Sequence, residues 1–340
     1  GMKTMMPIIN YEITEALNNL RESSESGEVV SASDVSYRLT FNMISKTLFN
    51  TRAYKHEDKD IADIFEITHQ IVEESLVPFL QDLFPGCSIL DQKRENKFKK
   101  TIEERDRLYR KVIRQARDTH VKGGKRHWLD IIFNTMPEIT EDQLVALLVD
   151  IIAAGFDTTA HGLQTAVTML AKYPKIQSEL RQALKGMHIP SMDLKDLQAI
   201  PYLKNFIQEV FRFKPISPML VPHKARDNVN MAGYTIPKGA VVYLVHHSEC
   251  YNDKWNNPSE FNPKRWEDPA CNINPFGQGI RRCPGERIGK TLLYTAVASY
   301  VRYFTWTETE TPNSTAFEFS SIHKFATEPK FYVSKVDTTT

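Results

Sequence analysis

The segment Asn274 to Gly289 gathers the residues best placed to do chemistry. It reads Asn-Pro-Phe-Gly-Gln-Gly-Ile-Arg-Arg-Cys-Pro-Gly-Glu-Arg-Ile-Gly, with Cys283 set among glycines and prolines and an apolar, small-residue stretch beginning near Ile288. This pattern predicts a rigid loop that presents one sulfur at the start of a helix. A helix N-terminus and neighbouring cations such as Arg281 and Arg282 favour thiolate over thiol, and glycines allow a backbone approach that side chains would block. Cys283 is therefore a candidate metal ligand, the plainer alternative being a buried structural cysteine beside a turn.

A second unusual stretch lies upstream. The capping box Thr140-Glu-Asp-Gln143 opens the most apolar helix of the chain, expected to run to about Tyr173 before Pro174 ends it. Inside it, Ala153-Ala-Gly-Phe-Asp-Thr-Thr159 places an acid, two hydroxyls and a glycine costing roughly 1 kcal/mol in an apolar setting. A hydroxyl that bonds back to a carbonyl loosens a helix, and a carboxylate beside it can relay protons. Gly155 is expected to make room for a flat ligand. A kinked core helix would explain the same residues without chemistry. A further helix, from Pro201 to just before Pro215, sets Glu209 and Arg212 three residues apart on one face, where such pairs are ordinarily surface contacts of little worth.

Taken together, Phe276, Gly277, Gly279, Arg281, Cys283 and Gly285 resemble the haem-binding loop of cytochromes P450. The resemblance continues, in family order, through Ala-Gly-x-Asp-Thr-Thr at 154–159, Glu-x-x-Arg at 209–212 and Phe261-Asn-Pro-Lys-Arg-Trp266, and covers about Tyr11 to Val333. It implies a mainly α fold with small β-sheets (α+β). It also implies that Cys283 is the proximal iron ligand of haem b, its thiolate pushing electron density onto the iron. Phe276, Gly277, Gly285 and Gly155 would lie against that cofactor. Asp157 and Thr158 would be the acid and alcohol that deliver protons, and Glu209, Arg212 and Arg265 would form a buried network. Arg281 and His223 would hold the haem propionates, although His223 could be only a strand-end polar residue. Ala153, Phe156, Pro218, Met219, Leu220, Val221 and the Val77–Phe84 turn would face substrate, and that turn reads equally well as an ordinary corner between helices.

The activity implied by the resemblance is insertion of one oxygen atom from dioxygen into an apolar small molecule of the steroid, lipid or xenobiotic class. Electrons would come from NADPH through a separate flavoprotein reductase, because the chain carries no flavin or dinucleotide fingerprint. A haem-thiolate isomerase or dehydratase is the enzymatic rival, disfavoured by the intact Asp157-Thr158 pair. A non-catalytic haem-binding protein or inert remnant is the rival from another class.

The remaining features frame these expectations. The 340 residues are 41% hydrophobic, enough for a sizeable core, and Lys+Arg 43 against Asp+Glu 42 leaves a net charge of +1 that gives no bulk drive toward nucleic acid. Cys87, Cys250, Cys271 and Cys283 show no paired spacing, which fits a reducing compartment. No run approaches the roughly 18 apolar residues of a membrane span, so no anchor is expected within the chain, while family relatives associate with the cytosolic face of the endoplasmic reticulum membrane. Helices are expected at 11–20, 33–49, 59–75 and 91–120, a solvated linker at 22–28, hairpins within 229–244 and strand pairs within 305–333. The expected organisation is a single domain, 1–335, with a tail at 336–340. Within it, 11–138 forms substrate-cap helices, 139–213 carries the oxygen-activation and Glu-x-x-Arg helices, and 214–335 carries the hairpins, haem loop and C-terminal helix. No Trp-x-x-x-Arg precedes these landmarks. The resemblance therefore implies a chain lacking the first third of a family member and holding haem more weakly than a complete relative.

Overall fold

The computed structural model describes residues 2–52, 59–75, 79, 84, 88–121, 123, 127–309, 317–318, 324–325 and 327–336. The fold is mainly helical with small antiparallel sheets. Backbone contacts gather into two compact units, one of residues 1–19 and 34–160 and one of residues 20–33 and 161–340.

In the first unit, α1 (Met2–Ser26) buries Ile9, Ile13 and Ala16 at helical spacing. This helix is longer than the expected 11–20, and residues 22–26 belong to it instead of to a linker. Ser and Glu on an exposed helix face cost little, and nothing interrupts the backbone hydrogen bonding until Gly27, whose φ of 69 ends the helix. Then follow α2 (Ala32–Phe49), α3 (Lys59–Ser75), α4 (Ser88–Asp118), α5 (Trp128–Thr135) and α6 (Glu141–Lys172), of which the residues from His161 on, like residues 20–26 of α1, belong to the second unit. In α4 the buried apolar residues are Leu108, Tyr109, Val112 and Ile113, and apart from Asp91 the other described side chains are half-buried or exposed. The Thr140 capping box forms as expected: Thr140 Oγ1 accepts from Gln143 N at 3.2 Å, and Gln143 Oε1 accepts from Thr140 N at 3.0 Å. The expected Val77–Phe84 turn lies, apart from Phe79 and Phe84, outside the described residues.

By length and composition alone α6 could also cross a bilayer, contrary to the expectation from the sequence. Its polar residues Asp157, His161, Gln164, Thr165 and Thr168 are buried within the protein, as in the core helix of a globular fold.

In the second unit, α7 (Pro174–Ala183), α8 (Leu194–Gln198), α9 (Pro201–Phe213) and α10 (His246–Tyr251) accompany the long C-terminal helix α11 (Glu286–Tyr303). Strands β1 (Val30–Ser31) and β6 (Phe304–Glu308) flank β9 (Lys330–Lys335) in an antiparallel sheet. Gln177 of α7 pins the junction between α11 and β6, accepting from Trp306 N at 2.9 Å and donating to Trp306 O at 3.0 Å. Short antiparallel pairs join β2 (His223–Lys224) to β5 (Val241–Val242), with the hairpin of β3 (Val229–Met231) and β4 (Tyr234–Ile236) between them in the chain, and β7 (Phe317–Glu318) to β8 (Lys324–Phe325). The tight turn between β3 and β4 puts Ala232 and Gly233 at φ 48 and 84, the left-handed pair that matches strand twist. Residues 337–340, expected as a tail, lie outside the described residues.

The first residues of α2 belong to this second unit, and Glu328 caps them from far along the chain. Its carboxylate accepts from Ser31 Oγ at 2.7 Å, Ser33 N at 2.8 Å and Ser33 Oγ at 2.5 Å. Ser33 thus donates both its backbone N–H and its hydroxyl to an acid from far along the chain. Replacement Glu328→Ala is expected to cost about 1–2 kcal/mol by urea denaturation, the usual loss for a helix cap. An unchanged midpoint would mean that water replaces the carboxylate without penalty.

Candidate functional site

The site is built on a buried carboxylate. Glu209 and Arg212 of α9 are both fully buried, and the arginine fork meets the acid twice, Nε to Oε2 at 2.8 Å and Nη2 to Oε1 at 2.9 Å. Arg265 Nε donates to Oε1 at 3.0 Å, Trp266 Nε1 to Oε2 at 2.9 Å, and the Asn262 backbone N to Oε1 at 2.8 Å. The two guanidinium groups then spend their remaining donors on backbone carbonyls. Arg212 reaches Cys250, Pro258 and Glu260, and Arg265 reaches Asn256, Asn257 and Glu260. The expected trio is therefore a network, and it fastens the irregular chain from Cys250 to Trp266 to α9. Sequence reasoning missed Trp266 as a donor, although it adjoins Arg265 in the matched segment.

The same helix supports the cysteine loop. Phe211 meets Phe276 edge to face, with centroids 5.3 Å apart and planes at 84°. Phe276 O in turn accepts from Cys283 N at 2.8 Å, so the cysteine backbone is tied to a ring resting on α9. Gly277 and Gly279 adopt φ 70 and 71, a left-handed conformation that side chains resist. Cys283 lies just before Gly285, the residue that caps α11, and its sulfur is exposed. A Cβ on Gly285 would stand 3.8 Å from that sulfur, an ordinary contact that by itself does not require glycine there. Burial pushes the Cys250 thiol up to about 12 and also raises that of Cys271.

Asp157 and Thr158 point different ways from α6. The Asp157 carboxylate is 2% exposed and is held by Tyr37 OH, 2.9 Å from Oδ1, and by His69 Nδ1, 3.1 Å from Oδ2. Thr158 Oγ1 turns back to donate to Ala154 O at 2.8 Å, and Thr159 Oγ1 does the same to Gly155 O at 3.1 Å. Tyr37 and His69 had no signal as partners of Asp157 in the sequence, because only the packing of α2 and α3 on α6 brings them there.

Several expected site residues fall elsewhere. A Cβ on Gly155 would meet Ile44 Cδ1 at 3.2 Å, so the missing side chain lets α2 approach α6 and does not leave space for a flat ligand. Phe156 is buried among Tyr37, Phe65 and His69, a core position in place of the expected substrate-facing one. Pro218 is also buried, its carbonyl accepting from His247 N at 2.8 Å, whereas Met219 and Leu220 are half-buried and Val221 is exposed. Ala153 is half-buried. His223, paired with Val242 across the β2–β5 ladder, and Arg281 are both exposed.

Comparison with known proteins agrees with this geometry. The family described as Cytochrome P450 matches residues 1–335. The chain belongs to the cytochrome P450 family. It is 34% identical to Cytochrome P450 98A1 of Sorghum bicolor over 225 residues, which are 62% of this chain and 44% of the sorghum protein. It is 28% identical to the Steroid 17-alpha-hydroxylase/17,20 lyase of Oryzias latipes over 336 residues, 90% of this chain and 64% of that protein. The enzyme of the same name from Gallus gallus is 31% identical over 296 residues, 79% of this chain and 57% of its own length. The chain thus spans less than two thirds of these relatives.

Membership of the P450 family implies a haem, and the donor set of this chain fits one. Among the described residues no group of three or more His, Cys, Asp or Glu is placed to hold a metal by itself. A lone exposed thiol on a rigid loop instead suits an iron whose other ligands come from a macrocycle and which needs a single protein ligand.

The network beneath the loop makes a direct prediction. Glu209→Ala would leave the buried Arg212 without its carboxylate, and thermal unfolding is expected to show a loss of about 3–5 kcal/mol. A variant as stable as the parent would show that Glu209 contributes nothing net to the fold.

Proposed function

We propose that this P450 is a haem-thiolate monooxygenase that inserts one oxygen atom of dioxygen into an apolar small molecule. The observation that carries the reading is the exposed Cys283 sulfur, tied through Phe276 to α9 and set at the start of α11. Haem b, when bound, supplies the redox-active iron at which dioxygen is activated. Cys283 holds that iron as a thiolate, with Phe276, Gly277 and Gly285 shaping the loop around it. Arg281 and His223 bind the propionate carboxylates, for which two exposed side chains of basic type are suited. Asp157 holds and releases protons, and the Thr158 hydroxyl passes them on by exchanging its bond to Ala154 O for one to an incoming group. Ala153, Met219, Leu220 and Val221 are the residues best placed by family position to meet substrate. Steroids, other lipids and apolar xenobiotics are the substrate class, an assignment supported by the hydroxylase names of two relatives.

Electrons come from NADPH through a separate flavoprotein reductase, on the cytosolic face of the endoplasmic reticulum membrane. A charged cleft lined by Leu194, Lys195, Gln198, Arg282, Glu286, Arg287 and Lys290 supports this reading. It sets several cations against a single acid beside the Cys283 loop, the complement of an acidic partner surface.

Reconstitution with the reductase and NADPH tests the proposal. Oxygenated product is expected from an apolar substrate panel, and Thr158→Ala should divert electrons into hydrogen peroxide while lowering product formation by roughly a hundredfold, the scale of one proton-transfer group. Reductase-supported NADPH oxidation without any product would argue against a monooxygenase. In the same assay, Lys195→Glu with Arg287→Glu is expected to raise the reductase KM several-fold and flatten its salt dependence. An unchanged KM would remove the cleft as the docking surface.

A further inference from the structure

The buried Asp157 carboxylate does not end in the core. His69 Nδ1 lies 3.1 Å from Asp157 Oδ2, and the other ring nitrogen, Nε2, lies 3.3 Å from Glu73 Oε1, one turn further along α3. Side-chain exposure rises along this line from 2% at Asp157 through 34% at His69 to 48% at Glu73. The imidazole therefore has a buried carboxylate at one nitrogen and a solvated one at the other. Tyr37 OH fixes the far oxygen of Asp157, and the Tyr37 and Phe156 rings meet the imidazole edge-on, with centroids 6.1 and 6.0 Å away. A side chain that only tied α3 to α6 would need Nδ1 alone; the second carboxylate at Nε2 is what a proton path adds.

We propose that His69 carries protons from water and Glu73 to Asp157, making it the entry port to the acid of the site. This rests on the reading of Asp157 given under the proposed function. In the step, a proton taken up at Nε2 gives the imidazolium, and the proton on Nδ1 then leaves to Asp157 Oδ2. One proton enters, one leaves, and no electrons move. The ring is left with its proton on Nε2, and its partial exposure lets exchange with water restore the starting tautomer. His69 acts through Asp157 and is a positioning and proton-passing residue.

Two measurements test the port. In the protein labelled with 15N-histidine, the His69 Nδ1 proton is expected as a resolved, slowly exchanging NMR resonance that Asp157→Asn shifts or removes. Its absence from the parent protein, or its indifference to Asp157→Asn, would overturn the hydrogen bond on which the port depends. In the haem-loaded protein with reductase, the parent, His69→Asn and Glu73→Gln are compared at equal haem content for NADPH oxidation in H2O and D2O. An asparagine amide takes the place of Nδ1 and keeps the tie to Asp157 but transfers no proton.

The port predicts a roughly tenfold loss with a larger solvent isotope effect for His69→Asn, the lower end of what one proton-transfer group contributes, and a smaller loss for Glu73→Gln. A His69→Asn protein as fast as the parent, with the same isotope effect, would reduce His69 to a structural tie. Should His69→Asn fail to fold, Glu73→Gln decides alone: Glu73 is half exposed, and unchanged kinetics there would overturn the port. A parent protein that takes up haem but oxidises no NADPH would count against the proposed function and leave the NMR result standing on its own.

Discussion

Glu209 is a full negative charge held without solvent, and the second unit is organised by the need to satisfy it. Burying such a charge costs several kcal/mol unless every lone pair finds a donor. Here Arg212, Arg265, Trp266 and the Asn262 backbone together supply five hydrogen bonds to its two oxygens. The arginines then carry the constraint outward to carbonyls between Cys250 and Glu260, chain that forms few regular backbone bonds of its own. A well-packed apolar cluster could be as stable. What the charged network adds is direction, because guanidinium forks donate to carbonyls only at set angles and so hold one backbone path among many.

From that fixed helix the effect passes to the chemistry through one ring contact and one backbone bond. Phe211 and Phe276 set the height of the loop, and Phe276 O sets the cysteine backbone. Left-handed Gly277 and Gly279 make the path to Cys283 possible, and Arg282 and Lys290 engage Glu286 in the first turn of α11. In the first unit a different arrangement gives α6 its character. Ile44 fills the space over Gly155, Phe156 seals the core, and Asp157 is drawn into hydrogen bonds from α2 and α3.

Motifs with a dense local signature are legible in the amino-acid order itself. The Cys283 loop ahead of a helix and the Thr140 capping box keep their determinants within a few residues, and both form as the local pattern predicts, whereas the Glu209–Arg212 spacing by itself reads as a surface pair and is in fact fully buried. Arg265 could be placed only through the family pattern, since nothing local marks a residue 56 positions from Glu209 as its partner. Gly155 shows how such reasoning fails: a glycine in an apolar helix signals close approach, but not whether a ligand or another helix makes it, and here it is Ile44. Phe156 is expected at the substrate only from family position, and nothing in its local sequence shows that Tyr37, Phe65 and His69 enclose it. The Glu328 cap on α2 and the Tyr37–Asp157–His69 cluster left no trace at all, being made by residues brought together only in the folded chain.

The central claim is that this fold presents Cys283 as the single protein ligand of a haem iron. The absorption spectrum of the reduced, carbon-monoxide-bound protein, expressed with added haem precursor, tests it most directly when compared with that of Cys283→Ser. The account predicts a strongly red-shifted Soret band that the serine variant loses while its fold persists by circular dichroism. Haem bound with no red-shifted band, or a band that Cys283→Ser leaves in place, would contradict it.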